Sequence, residues 1–203
     1  SLGVVGPSAL GKSVQNGFHD IIGDTPNLGW RNQIKDEPAV EVLAERTYRL
    51  PLYRFNVAGV NGLETDVLPS ATLGLGTVRD YVQGGISFRL GQGLASDFGA
   101  ARIRPGLTGT DAYTPTLPFA WYVFAGADGQ AIARDVFLDG ATFRNAQGPH
   151  VTKRPFVGEF QGGLALMAYG VRLSYTQTWQ TEEFRRQKAG LFNFGSLALS
   201  AKF

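Results

Sequence analysis

The chain has 203 residues, enough for one domain with a real core or for one barrel, and a formal net charge of +2 with no cysteine. A charge that mild, with its basic residues scattered, argues against nucleic acid as a partner. No stretch of 18 apolar residues exists, which excludes a spanning helix, and the sequence opens with no signal peptide.

The first informative stretch runs from Gly6 to Trp30. Residues Gly6 to Ser13, G-P-S-A-L-G-K-S, fit the phosphate-loop pattern letter for letter. That motif carries nucleotide chemistry only between a buried strand and a helix of a βαβ unit, with Lys12 reaching the phosphates and Ser13 holding magnesium. No later segment alternates apolar strands with long amphipathic helices, and no apolar run ends in an Asp placed to hold magnesium. Nucleotide binding is therefore not expected. The same stretch predicts a helix, with Pro7 and Ser8 at its start, Ser8 as N-cap, Gly23 as C-cap and Pro26 beyond it. Leu10, Val14, Phe18, Ile21 and Ile22 make one apolar face. Gln15 and His19 sit four apart on the edge of that face, close enough to act together. On spacing alone the favoured reading is two solvated polar residues.

From Pro38 onward, period-two alternation takes over. Strands are expected near 38–50, over 67–76 and over 82–90, followed by a loop over roughly 92–116. Trp121, Val123 and Ala125 lead to Asp128-Gly129, a hairpin signal, with a return strand near 131–139. A second loop covers about 140–154. Phe156, Phe160, Leu164 and Leu166 then share one face. So do Val171, Leu173, Tyr175 and Trp179, opposite Arg172, Ser174, Thr176 and Thr178. A charged segment, Glu182 to Lys188, precedes the last strand, which ends on Phe203. This makes about eight strands, several longer than the usual five or six residues of a soluble sheet. An apolar row opposite a polar row over 9–11 residues is what a membrane-spanning strand requires. The fold class expected is all-β, a transmembrane antiparallel barrel with one short N-terminal helix. A soluble all-β domain is the rival reading of the pattern.

Several separated blocks, in one order, resemble the lipid A 3′-O-deacylase family: G-P-S-A-L-G-K-S-V-Q-N-G-F-H, G-W-R-N-Q-I-K-D-E-P from Gly29, W-Y-V-F-A-G from Trp121, F-L-D-G from Phe137, K-R-P-F-V-G from Lys153 and F-G-S-L-A-L-S from Phe194. The resemblance implies a twelve-stranded barrel in the outer membrane of a Gram-negative cell, hydrolysis of the 3′ acyloxyacyl ester of lipid A, and dependence on calcium. It implies that His19 is the general base, that Gln15 orients a group or the substrate, and that Asp24 is the acidic residue following the His. Asp20 is the other acid nearby. The partners implied are lipopolysaccharide and membrane lipids, with no nucleotide. The family's remaining active-site residues, its calcium ligands among them, fall upstream of Ser1. Residues 1–203 are thus expected to form the C-terminal two-thirds of a single barrel domain, inactive alone. His150 lies in a Gly-Pro-His loop and is expected at the surface. The alternative function is a non-enzymatic outer-membrane barrel, porin-like or structural, since eight strands can close by themselves.

Overall fold

The structure is a computed structural model describing residues 1–57, 59–100, 113–144, 148–187 and 190–201. Nine strands form one antiparallel sheet: β1 (Leu2–Val5), β2 (Glu37–Thr47), β3 (Leu50–Val57), β4 (Val60–Gly76), β5 (Arg79–Gln92), β6 (Phe119–Asp135), β7 (Phe156–Ala168), β8 (Val171–Gln180) and β9 (Phe192–Ala201). From β4 to β9 each strand pairs with the next in sequence. β2 and β3 run one after the other along β4, with Thr47 opposite Ser70 and Leu50 opposite Val67. They act as one long interrupted strand. Helix α1 (Gly11–Ile22) fills the connection between β1 and β2, and the one-turn helix α2 (Val136–Asp139) follows β6. Among the described residues no helix is long and apolar enough to cross a membrane, which says nothing about crossing by strands.

Alternation along the strands separates two faces. Val82, Ile86, Phe88, Phe160, Leu164, Leu166, Leu173, Tyr175, Leu197 and Leu199 are all exposed on one of them. Ser87, Arg89, Tyr122, Ala165, Arg172, Ser174, Thr176 and Thr178 are buried on the other. Such exposure of large apolar side chains is untenable in water and is the rule in lipid. Among the described residues no second sheet covers the buried face. Tyr122 and Ala165 are nevertheless 0% exposed, so the sheet curls around its polar face, as a barrel wall does.

The interior is filled at both ends. Leu94, Tyr113, Ala120, Tyr122, Phe124, Ala165 and Met167 cluster at the end where the β5–β6 connection folds inward. Ile34, Val136 and Ala141 pack with Val5 and Val78 at the α1 end. Beside the first cluster lies a buried charge network. Arg89 donates to both carboxylate oxygens of Asp66 and to Asp97, and Asp97 also accepts from Arg172 at 2.9 Å and from the Tyr122 hydroxyl at 2.8 Å.

Several expectations change. Asp128-Gly129 is not a hairpin: β6 runs straight through it, and Asp128 points inward to accept a hydrogen bond from Gln83 at 2.6 Å. Gly129 stays in the ladder, opposite Gly84 and Gly158. The proposed return strand over 131–139 is the end of β6 followed by α2, whose first turn is capped by Asp135 accepting from Phe137 N at 2.9 Å. β1 and β3 went unrecognised. The first has four residues, and the second is exposed on both faces and lacks a buried row. Phe203, Lys188 and residues 101–112 of the expected loop lie outside the described residues.

Candidate functional site

The candidate site is built on α1. A 3₁₀ turn over Pro7–Ala9 leads into it through Leu10, which takes the left-handed conformation at φ 61°. Ser8 does not cap the helix. Its backbone N–H and its hydroxyl instead both donate to Asp36, each at 2.8 Å, and so pin the helix entry to the start of β2. Those two donors, backbone first and hydroxyl second, hold the Asp36 carboxyl below the usual carboxylate range, with a smaller contribution from Arg144. The next residue, Glu37, is buried and accepts from the backbone N–H groups of Thr142 and Phe143 at 2.6 and 3.1 Å. This ties the β6–β7 connection to the same corner.

The orientation of α1 is the informative feature. Leu10, Val14, Phe18, Ile21 and Ile22 are each more than half exposed. The half-buried positions are Gly11, Gln15, Asn16 and His19. The polar edge, not the apolar stripe, faces the chain. The segment after the helix covers that edge. A methyl group on Gly11 would stand 2.9 Å from the Trp30 ring, so glycine is what permits this approach. The Asn16 side chain accepts from Asn27 N at 3.1 Å. Gly23 ends the helix in the left-handed conformation, as expected, and Asp24 N donates to the His19 carbonyl at 2.8 Å.

His19 is held by this turn. Its Nδ1 lies 2.8 Å from the Thr25 carbonyl oxygen. A carbonyl only accepts, so the neutral ring carries its hydrogen on Nδ1 and leaves the Nε2 lone pair available. Asp24 Oδ2 stands 4.0 Å from the same Nδ1, while Asp24 Oδ1 accepts from Thr25 N at 2.7 Å. The structure thus brings His19 and Asp24 together and places Gln15 one helical turn before His19 on the half-buried edge. Asp20 is exposed. The Thr25 carbonyl was not legible in the sequence, since backbone acceptors carry no residue signature. Lys12 and Ser13 are exposed, and the five-residue stretch before Gly6 contributes β1, an antiparallel strand. The βαβ context of a phosphate loop is therefore missing. His150 is exposed, as expected, with Nδ1 3.2 Å from the Gly148 carbonyl.

Calcium prefers several convergent carboxylate and carbonyl oxygens. Among the described residues no three His, Asp or Glu side chains converge in a metal-ligating group. Of the two Asp24 oxygens, one is engaged by Thr25 and the other faces an imidazole. The donor set around His19 does not by itself fit calcium.

The family model described as outer membrane protein LpxR matches residues 1–203. The chain belongs to this family. It is an outer-membrane protein, and the resemblance read from the sequence blocks is borne out. Among solved structures, LpxR from Salmonella typhimurium superposes with a TM-score of 0.78 at 22% identity. That match covers 100% of this chain and 65% of the LpxR chain, so residues 1–203 span about two-thirds of that relative's length. At this identity the likeness is one of fold, and it agrees with the strand-and-helix arrangement above. No curated protein matches the chain.

Proposed function

We propose that this LpxR-family protein is an outer-membrane esterase that hydrolyses the 3′ acyloxyacyl ester of lipid A, with His19 as general base. The observation that carries the reading is the 2.8 Å contact of His19 Nδ1 with the Thr25 carbonyl, on a helix whose polar edge is only partly covered. That contact fixes the ring and its tautomer, which is what a base must have before substrate arrives. Nε2 removes a proton from water, or from an active-site hydroxyl, as that oxygen attacks the ester carbonyl. The imidazolium then returns the proton to the departing alkoxide; where a hydroxyl attacks, a water activated in the same way then cleaves the acyl-enzyme and regenerates the hydroxyl. Asp24, 4.0 Å from Nδ1, favours the transient positive charge. Gln15 orients the attacking group or the carbonyl from one turn earlier.

Calcium is part of the proposal only as a Lewis acid whose ligands would come from chain beyond residues 1–203. By the same reasoning, residues 1–203 alone are proposed to be inactive. The test uses the purified full-length protein in mixed micelles with lipid A. Release of the 3′ acyl chain is expected, abolished by His19→Ala and by EDTA and restored by added calcium. Lys12→Ala should leave most of the activity. Micromolar ATP binding that Lys12→Ala abolishes would point instead to a nucleotide site.

A further inference from the structure

The β6–β7 and β8–β9 connections leave the sheet at the same end as α1 and zip together. Arg154 N donates to the Glu183 carbonyl at 2.7 Å, Arg185 N donates to the Thr152 carbonyl at 2.8 Å, and Lys153 faces Phe184 in an antiparallel bridge. The acids of this clasp are occupied. Glu182 pairs with Arg154 at 2.9 Å, Asp139 with Lys153 at 2.6 Å, and Glu183 accepts from the Gln180 amide at 3.1 Å.

Arg185 and Arg186 are both exposed, and among the described residues neither guanidinium meets an acceptor. Arg186 also holds φ at 67°, the left-handed region. A side chain with a Cβ adopts that conformation at a cost that glycine would relieve. The turn that Gln187 N closes by donating to the Phe184 carbonyl at 3.3 Å holds Arg186 in this conformation, and both arginines are presented to solvent from it. Their location suggests what they meet. Phe156, Phe160 and Trp179 are exposed on the outer face just below this turn. Aromatic side chains in that position mark the membrane–water interface. The turn beyond them therefore sits at the depth of lipid phosphates.

We propose that Arg185 and Arg186 form a phosphate-docking turn for the phosphorylated headgroup of the substrate, on the same end of the barrel as His19. This rests on the reading of the protein as a lipid A esterase. Two planar guanidinium forks match phosphate oxygens geometrically, and among the described residues no carboxylate pairs with them. Each cation near such an anion contributes about fivefold in affinity.

The test is steady-state kinetics of the full-length protein in neutral mixed micelles, on lipid A bearing its phosphates and on phosphate-free lipid A. The variant is Arg185→Ala with Arg186→Gly, because glycine accepts φ 67° and keeps the turn. The expected result is a KM raised about 25-fold on the phosphorylated substrate, with kcat within about twofold and no change on the phosphate-free one. Arg185→Lys with Arg186→Lys should recover part of the loss. Equal KM values for wild type and variant on phosphorylated lipid A would overturn the docking turn alone. So would a loss of the same size on both substrates, or a fall in kcat at constant KM, each of which marks a structural role. Wild-type protein that hydrolyses neither substrate would overturn the esterase reading and this proposal with it.

Discussion

Arg172 and Asp97 stand 75 positions apart in sequence and 2.9 Å apart in the barrel interior, both essentially without solvent contact. Asp97 lies on the connection that follows β5, and Arg172 is the second residue of β8. Their contact, with those of Arg89 and Tyr122, latches the start of the β5–β6 connection inside the wall. Removing Asp97 takes away a carboxylate that two buried guanidinium groups share. Asp97→Ala is expected to destabilise the barrel by about 3–5 kcal/mol, with Asp97→Asn milder because it still accepts a hydrogen bond. Urea titration of the full-length protein in detergent, followed by tryptophan fluorescence, reads the difference.

The wall itself makes a sharper prediction. Leu166 and Leu199 are exposed on the outer face, whereas Ser196 is half-buried on the inner face of β9 opposite Thr176. Arg at the bilayer midplane costs about 2–4 kcal/mol. Leu166→Arg and Leu199→Arg should block assembly, and Ser196→Arg should be milder. Heat-modifiable gel mobility of protein recovered from outer membranes distinguishes the cases. Equal assembly of all three would contradict the assignment of faces.

Two glycines on α1 separate helix propensity from packing. Nothing lies within 4 Å of a methyl group added at Gly17, whereas one added at Gly11 would press on the Trp30 ring. Gly17→Ala should stabilise the helix by about 0.5–1 kcal/mol. Gly11→Ala should show no such gain and should lower esterase activity, because the helix must shift off Trp30 and carry His19 with it. Hydrogen exchange of the α1 amides measures the first effect and turnover the second.

The Ser8–Asp36 pin has a defined pH window. The folded-state pKa of Asp36 lies below its ordinary value of 3.8. Its contribution is therefore complete above that value and is lost as pH falls through the lower, folded one. The pin should be indifferent to pH from neutral to mildly acidic conditions. Ser8→Ala removes one of the two donors and should move the Asp36 titration upward toward 3.8, as followed by NMR of the carboxyl carbon.

Much of this architecture was legible in the residues. The two rows of β7 and β8 read directly, because alternation of Leu164 and Leu166 with Ala165, or of Leu173 with Arg172 and Ser174, has one physical solution. Asp128-Gly129 misled, because a turn dipeptide is overridden when its Asp finds partners such as Gln83 inside the wall. Ser8 misled in the same way, since its hydroxyl turns to Asp36 on a distant segment instead of accepting from a helix N–H as a cap does. The α1 stripe read correctly as a helix face, yet periodicity states only that a face exists, not which side of the helix turns toward the chain. The Arg89–Asp66–Asp97–Arg172 network depends on strand register, which no single strand reveals.

The central claim is that His19 is the base of a lipid A esterase. Mass spectrometry of lipid A from cells expressing the full-length protein tests it most directly, comparing wild type with His19→Ala at matched levels of heat-modifiable protein in the outer membrane. The account predicts lipid A lacking its 3′ acyl chains with the wild type and intact lipid A with His19→Ala. Intact lipid A with correctly assembled wild type, or equal loss of the 3′ chains with His19→Ala, would contradict it.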